Sequence, residues 1–319
     1  MLTVRELLAQ DWPEVKRIFA EGIATGHATF ETAVPDWAAF DRSRLPHLRL
    51  VAPDPQDPGR LLGWTAASPV SARPVYAGVA EHAVYVSAHA RGGGVGRLLL
   101  EAMIQLSEAG GVWSLRSGVF TENLASRGLH RQLGFREVGI LERVGRGGGR
   151  WRDVVLVERR SPSIGDDSPL VRLTLPGRPA DLDAVRHLLA DSGLPPLGEA
   201  WRTWVADAAG TGGEVVGCAA LERYPRGSGS PVYLLRSVAV AAGRRGTGVG
   251  RRLVEAALTT ADLHDGHRAT VGLLTETADG WFDRFGFAAV PRDQLPAELA
   301  ASPELRGACP DTARAYLRR

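Results

Sequence analysis

The stretch Val84-Tyr-Val-Ser-Ala-His-Ala-Arg-Gly-Gly-Gly-Val-Gly96 reads as an apolar strand that ends, a turn made on glycine, and the start of a helix. The apolar residues that follow, Val95, Leu98, Leu99, Met103 and Ile104, recur at helical spacing. A glycine turn at the start of a helix exposes several backbone N–H groups at the positive end of the helix dipole, a cradle for phosphate or pyrophosphate. Side chains at those positions would block the close approach of an anion. Two other phosphate loops are excluded. The chain has no Gly-x-x-x-x-Gly-Lys-Ser/Thr run, and Arg97 and Arg251 stand where a dinucleotide fingerprint needs its third glycine.

The turn occurs twice. A shift of 154 positions lays Val84-Tyr85-Val86 over Val238-Ala239-Val240, Arg91-Gly-Gly-Gly-Val-Gly96 over Arg245-Gly-Thr-Gly-Val-Gly250, and Gly63 over Gly217. A shift of 152 lays Gly134-Phe135 over Gly286-Phe287, the difference being an ordinary loop deletion. One fold is therefore written twice, over residues 1–160 and 170–319, with the polar segment 161–169 as a linker that has little to bury.

Each copy opens with a strand and an amphipathic helix: around Thr3 and from near Asp11 in the first, over 170–175 and from about Pro179 in the second. Three strands follow, near Leu48 to Ala52, Leu61 to Ala67 and Ala80 to Ser87, and again near Trp204 to Ala206, Glu214 to Leu221 and Tyr233 to Val240. After the glycine turn and its helix, a fourth strand, a short helix and a final hairpin complete each copy. The expected class is α/β (α+β), with two tandem domains that are each a mixed, mostly antiparallel sheet flanked by helices.

With 319 residues, 44% of them apolar and 23% charged, the chain can bury more than one core. A formal net charge of +2 gives no nucleic-acid footprint and no polybasic membrane patch. Lys16 is the only lysine, so the basic set is almost wholly arginine, which suits bidentate grips on carboxylates and phosphates but equally follows from codon composition. Cys218 and Cys309 are the only cysteines and lack metal-ligand spacing, so neither a disulfide framework nor a metal site is indicated. The opening residues Met1-Leu-Thr-Val-Arg-Glu show no leader pattern, and the expectation is a cytoplasmic protein without a membrane span.

The two glycine turns, each at the end of a strand and the start of a helix, resemble the acetyl-CoA pyrophosphate loop of the GNAT acetyltransferase superfamily. In that superfamily the strand before the loop splays from its neighbour and aligns the thioester by backbone hydrogen bonds. The resemblance implies acetyl-CoA as co-substrate. In the first copy it would be held by Val84, Tyr85 and Val86, by the loop residues Arg91, Gly92, Gly93, Gly94, Val95, Gly96 and Arg97, and by Asn123 and Ser126. In the second the matching residues are Val238, Ala239 and Val240, then Arg245, Gly246, Thr247, Gly248, Val249, Gly250 and Arg251. Gly93 departs from relatives that carry a second basic residue there.

Residues 1–160 resemble phosphinothricin and arsinothricin N-acetyltransferases over nearly their whole length. The resemblance rests on Ala28-Thr-Phe-Glu-Thr32, Ala72-Arg-Pro-Val-Tyr76, Glu81-His-Ala-Val-Tyr-Val86, Leu129-His130, Leu133-Gly-Phe135 and Gly149-Arg-Trp-Arg-Asp153. It places a catalytic glutamate at Glu81. Acetyl transfer needs a neutral amine, whereas an α-amino group with a pKa near 8 is mostly ammonium at neutral pH. A carboxylate in a partly desolvated site can take that proton, and burial would raise its basicity. His130 stands where many relatives carry a tyrosine that protonates the leaving thiolate; it is either that acid or a structural histidine on the helix surface. Arg73 and Tyr76 are candidates to grip a substrate carboxylate, and Thr29 and Phe30 to line the substrate pocket. Phe30 and Trp37 are also readable as core.

The second copy lacks these groups. Glu81 falls on Leu235 and Arg73 on Gly227 under the 154 shift, and His130 on Phe282 under the 152 shift. Residues 170–319 resemble short acetyltransferases associated with arsenic-resistance operons, through Leu234-Leu-Arg-Ser-Val-Ala-Val240, Trp281-Phe-Asp-Arg-Phe-Gly-Phe287 and Cys309-Pro310. Glu222 and Arg236 form either an ion pair or an alternative polar site. The implied activity is acetylation of the amino group of a small amino-acid analogue such as arsinothricin, phosphinothricin or methionine sulfoximine. An acetyl-CoA-binding sensor, or an acetyltransferase for another amine or a protein N-terminus, fits the same residues. Two tethered copies are expected to pack as an intramolecular pseudo-dimer, with a further homodimer compatible.

Overall fold

Gly63 and Trp64 are consecutive residues of one strand, so they address opposite faces of a sheet, and each fixes what can pack on its side. The computed structural model describes residues 2–57, 59–164, 171–174, 179–208, 214–227, 229–266 and 268–319. The chain divides into two units, residues 1–166 and 167–319. The first contains β1 (Arg5–Glu6), α1 (Trp12–Ala24), α2 (Trp37–Ser43), β2 (Arg49–Pro53), β3 (Leu61–Pro69), β4 (Val79–Val86), α3 (Val95–Ala109), β5 (Ser114–Phe120), α4 (Leu124–Gln132), β6 (Arg136–Gly147) and β7 (Arg150–Arg160). Its seven strands lie in the order β1-β2-β3-β4-β5-β7-β6, with β4 and β5 parallel and the other neighbours antiparallel.

On one face Trp64 stacks on Tyr85 with ring centroids 4.5 Å apart and meets Phe19 of α1 and Phe40 of α2. Helix α1 presents Val15, Ile18, Phe19 and Gly22 to this cluster, the spacing of an amphipathic helix. Full burial of each large apolar side chain contributes roughly 1.5–3 kcal/mol. On the other face α3 lies close to the sheet. A Cβ on Gly63 would stand 2.7 Å from the Tyr85 carbonyl oxygen and 2.9 Å from Leu99 Cδ1, so only glycine permits this approach. Helix α2 has no counterpart in the sequence reading, because seven residues show too little periodicity. Its start is fixed by Asp36, which accepts a hydrogen bond from the Ala39 N–H at 2.7 Å.

The second unit contains β8 (Val171–Thr174), α5 (Pro179–Asp191), β9 (Arg202–Ala208), β10 (Val215–Arg226), β11 (Gly229–Val240), α6 (Val249–Asp265), β12 (Thr270–Thr275), β13 (Ala288–Val290) and β14 (Arg314–Arg318). Its sheet order is β13-β14-β12-β11-β10-β9-β8. Gly217 and Cys218 repeat the roles of Gly63 and Trp64. A Cβ on Gly217 would meet Leu253 of α6 at 2.9 Å, while Cys218 packs with Val185 and Leu189 of α5.

The ends of the two units differ, and here the sequence expectation is corrected. The first unit closes with a short helix and a hairpin whose turn is Gly148-Gly149, both at positive φ. In the second unit one turn of 3-10 helix, Asp283–Phe285, replaces the short α-helix, and β13 and β14 are joined by residues 291–313 rather than by a tight turn. Pro291, Pro296, Pro303 and Pro310 break that connection into short turns. Leu299 nevertheless packs on Val232 and Leu234, which lays the connection over the sheet.

Of the expected linker, Ser161 to Ile164 belong to the first unit: Ile164 is buried, and the Ser161 N–H donates to the Trp113 carbonyl at 3.0 Å. Residues 165–169 lie outside the described residues, as do Leu170 and Leu175 at the ends of the strand expected there. Among the described residues no helix is long and apolar enough to cross a membrane.

Replacing Gly63 with Val is expected to lower the stability of the first unit by about 1–3 kcal/mol through overpacking. Gly139→Ala, in open space on β6, is the control and should change it little. Urea midpoints followed by circular dichroism compare the two variants with the parent.

Candidate active site

Strands β4 and β5 pair only from Val79 to Glu81 and from Ser114 to Arg116. Beyond Glu81, β4 keeps its antiparallel partner β3, while β5 keeps β7 along its whole length. The two parallel strands therefore diverge, and β4 has no strand partner on the β5 side over Val84 to Val86. Strands β11 and β12 repeat this fork, pairing only over Val232 to Leu234 and Thr270 to Gly272.

Each fork leads into its glycine turn. Gly92 and Gly94 have φ of +77° and +83°, and Gly246 and Gly248 have φ of +76° and +88°, so all four sit in the left-handed region that favours glycine. At Gly92, Gly94 and Gly246 a Cβ would find nothing within 4 Å. Neither α3 nor α6 has a side-chain cap, so the N–H groups of their first turns remain available to an anion. These features fit the pyrophosphate of acetyl-CoA. Within the turns, Arg91 Nε donates to the Val86 carbonyl at 3.4 Å and Arg245 Nε to the Val240 carbonyl at 3.1 Å, the same brace in both copies. Thr247, in place of Gly93, bonds to the Arg244 carbonyl at 2.6 Å. Arg97 pairs with Glu101, and Arg251 lies 3.9 Å from Glu255 on the exposed side of α6. Val95 and Val249 point into the core, and Gly96 and Gly250 pass close to Val86 and Val240.

A network that sequence reasoning missed holds the first turn in place. Glu21 of α1 accepts from the Ala88 N–H at 2.8 Å and from Ser87 Oγ at 3.1 Å, and Arg17 bridges Glu14, Glu21 and Ser87. Nothing in a helix-surface glutamate distinguishes this role from a solvated charge.

Glu81 is the last β4 residue paired with β5, and it stands on the α1 face of the sheet, exposed to solvent. The partly desolvated setting expected for it is thus not supplied by the chain. Its cross-strand partner is Ser68, whose Oγ accepts from Arg44 Nη1 at 3.2 Å. Burial lowers the pKa of Arg44, opposed by the nearby Tyr85, Glu81 and Glu31. Arg44 is a cation beside Glu81 that the sequence gave no reason to single out. Tyr85 is buried with Thr29 near its hydroxyl, and burial raises its pKa. Arg73 and Tyr76 form a separate exposed pair on the turn before β4, with the guanidinium 5.8 Å from the ring centroid. Phe30 is 39% exposed and meets Phe120 edge-on at 4.8 Å, a partly open wall rather than core. Trp37 packs on Trp12 and Phe40 and is core.

His130 does not lie on the helix surface: it is 1% exposed, on the α4 side of the sheet. Its Nδ1 donates to the Ser126 carbonyl at 2.7 Å, and its Nε2 is 3.0 Å from His82 Nε2. A carbonyl only accepts, so the proton of neutral His130 sits on Nδ1 and His82 Nε2 donates to His130 Nε2. Both ring nitrogens of His130 are thereby committed. Burial lowers the pKa of His130, and burial with the neighbouring His130 lowers that of His82 to about 3. Asn123 caps α4, accepting from the Ser126 N–H at 3.1 Å, and donates to the His27 carbonyl at 3.1 Å, which ties the loop bearing Thr29 to the fork.

In the second unit β11 carries a bulge at Ser237, which has φ +55°, opposite the stretch from Cys218 to Ala220 of β10. It shifts the register by one residue. Ser68 pairs with Glu81 in the first unit, and Glu222 pairs with Leu234 in the second, so Leu234 rather than Leu235 stands at the position of Glu81. Glu222 and Arg236 are buried and bonded at 2.6 Å, with Arg236 Nη1 also 2.6 Å from Glu304. Cys218 is buried, and burial pushes its thiol up to about 12.

Two forks, two anion turns and a carboxylate at the first fork define the class: the chain belongs to the GNAT acetyltransferase family and is an acetyl-CoA-dependent N-acetyltransferase. Residues 3–135 match the acetyltransferase (GNAT) family and residues 199–289 the acetyltransferase (GNAT) domain. Phosphinothricin N-acetyltransferase of Alcaligenes faecalis is 38% identical over 166 residues, covering 49% of this chain and 81% of that protein. An N-acetyltransferase of Streptomyces griseus is 32% identical, over 55% of this chain and 94% of its own. An L-methionine sulfoximine/L-methionine sulfone acetyltransferase of Pseudomonas aeruginosa is 32% identical, over 49% and 92%. The phosphinothricin N-acetyltransferases match the N-terminal half.

The His82–His130 pair has a measurable consequence. An unfolded histidine binds a proton near pH 6.5, while folded His82 does so only at about 3, so unfolding takes up a proton in between. Stability of the first unit is therefore expected to fall as pH drops below ~6.5, by up to about 1.4 kcal/mol per pH unit from this residue. His82→Gln keeps a donor toward His130 and should flatten that slope. Urea midpoints from pH 7 to pH 4 measure it; equal slopes in parent and variant would remove His82 as the cause.

Proposed function

We propose that the first unit acetylates the amino group of a small amino-acid analogue, with Glu81 as the general base and Arg73 as the grip on the substrate carboxylate. The observation that carries this reading is the position of Glu81 at the mouth of the β4/β5 fork, on an open face, where an amine directed at a thioester in the fork would arrive. When bound, acetyl-CoA supplies the activated acetyl group, and the N–H groups after Gly94 together with the β4 edge over Val84 to Val86, which β5 leaves uncovered, would hold it. Glu81 takes the proton of the arriving ammonium directly or through one water. A bound substrate, rather than the chain, excludes water from its carboxylate. Arg44 fixes the orientation of Ser68 beside it, and Thr29 with Tyr85 forms the adjoining wall. His130 acts here by positioning, since its proton is bonded to the backbone.

The substrates named for the relatives, phosphinothricin and methionine sulfoximine, are the class expected for this site, and the resemblance of the second half adds arsinothricin. Acetylation would remove the ammonium charge such compounds need to mimic glutamate, which is the basis for proposing a resistance role in the cytoplasm. Thiol release with the three compounds tests the substrate class; tight acetyl-CoA binding without release from any amine would instead support a sensor.

Glu81→Gln is expected to lower turnover at neutral pH by about two to four powers of ten with little change in acetyl-CoA binding. Activity within twofold of the parent would take Glu81 out of the mechanism. Arg73→Ala should mainly raise KM for carboxylate-bearing substrates and leave a neutral amide analogue nearly indifferent, as loss of ground-state binding requires. Equal damage to both substrates would make Arg73 structural.

A further inference from the structure

The fork of the second unit has a carboxylate in nearly the place of Glu81, carried on the other strand. Directly paired residues on neighbouring strands point to the same face of a sheet. Glu222 pairs with Leu234, the counterpart of Glu81, so its side chain stands beside that position and on the same face. Leu234 is also the last β11 residue paired with β12, which puts Glu222 at the mouth of the second fork.

Glu222 is already saturated. Its Oε1 accepts from Arg236 Nη1 at 2.6 Å and its Oε2 from the Tyr224 hydroxyl. The same guanidinium has its other donors engaged: Nη2 on the Pro196 carbonyl at 2.7 Å and Nε on Ser237 Oγ at 3.2 Å. Glu304, on the connection that the first unit lacks, brings a second carboxylate to this one cation. It is 4% exposed and is ion-paired to Arg236 Nη1 at 2.6 Å, with no other side-chain partner for its oxygens among the described residues. Two buried carboxylates against one guanidinium leave a negative charge without a partner, and such a charge either takes up a proton or meets a cation. Burial, with Glu222 nearby, raises the pKa of Glu304 against the pull of Arg236. The other ionisable groups around it are Tyr224, Cys309 and Arg292; Arg292 is held by the Glu304 and Pro310 carbonyls and by Asp311.

An exposed glycine packs against the cluster: a Cβ on Gly198 would stand 3.0 Å from Arg236 Nη1 and 3.7 Å from Glu222 Oε1, so a larger residue there would press on both.

We propose that the second unit holds a separate acetyl-transfer centre, reached past Gly198, in which Glu304 receives the ammonium of a small amine lacking a carboxylate while Glu222 and Arg236 hold it at the fork. A substrate carboxylate would find no free cation here and would face the excess negative charge. In the transfer, the ammonium first gives one proton to Glu304; the neutral nitrogen then bonds to the acetyl carbonyl carbon as the C–S bond breaks, and its second proton passes through water to the leaving thiolate, which departs as the free thiol of CoA. The centre is independent of Glu81, so it stands or fails apart from the reading of the first unit.

The test uses the full chain carrying Glu81→Gln, with 1,4-diaminobutane and ornithine as probes that differ by one carboxylate. The chain should bind 1,4-diaminobutane in the presence of CoA by calorimetry and acetylate it in the presence of acetyl-CoA, with ornithine at least tenfold poorer in both. Glu304→Gln should abolish the binding heat and lower turnover at least a hundredfold. Gly198→Val, which leaves every charge in place, should abolish the heat as well. Absence of binding and of acetylation with the diamine in the Glu81→Gln chain would show that the three charges are structural. Ornithine performing as well as the diamine would overturn the substrate class, and an unaffected Glu304→Gln variant would overturn the role of Glu304.

Discussion

The constraint on which both units depend is the incomplete pairing of two parallel strands. Three residues of β4 are bonded to β5 before the strands part, and three of β11 to β12. Divergence leaves polar backbone groups facing a gap, a cost that a packed sheet normally avoids. Such an edge is tolerable where a ligand backbone can complete it. The glycine turn is a second consequence: the strand that parts from its neighbour runs directly into the helix whose first N–H groups lack partners. Gly63 and Gly217 then allow that helix to sit against the sheet, so that one close approach positions the anion cradle over each fork.

A shared frame leaves the chemistry to the residues at the mouth of the fork, and the two units fill that mouth in opposite ways. In the first, the carboxylate of Glu81 is exposed, and the nearby cation Arg44 is bonded to Ser68. Under the proposed reading of Glu81 as a base, its desolvation would come from the bound substrate. In the second, the one-residue bulge at Ser237 replaces the carboxylate on β11 with Leu234, and Glu222 restores one from β10. There the desolvation is built in, because the 291–313 connection lies over the sheet and brings Glu304 with it. Ion pairing beneath such a cover is expensive unless each charge is satisfied.

Much of this frame was legible from the repeat alone. The spacing of the two glycine turns, the strands leading into them and the helices after them depend on backbone geometry that only certain residue types allow, and those types appear in the sequence. The 154 shift could not show a bulge, because one extra residue in a strand followed by an ordinary loop leaves no gap to notice; it therefore set Glu81 against Leu235 when the sheet sets it against Leu234. The terminal hairpin was expected in both copies, yet four prolines between Val290 and Arg314 were sufficient signal that the second copy connects its last strands differently. Glu21, Arg44 and Glu304 carry no local pattern at all. Each acts through a partner distant in sequence, Ala88, Ser68 and Arg236 respectively.

His130 shows how a position can match a family pattern while the side chain does a different job. A helix residue four positions before Gly134 is well placed to reach a thiolate only if it points toward the fork. Here α4 turns it inward, onto His82, which follows Glu81 in β4 and so faces the opposite side of the sheet. Two neutral imidazoles bonded to each other, with the outer proton fixed on the Ser126 carbonyl, form a rigid contact between α4 and the strand that carries Glu81. Asn123 at the start of the same helix reaches the loop that carries Thr29. Helix α4 thus connects the strand that carries Glu81 and the loop that carries Thr29 from behind the sheet.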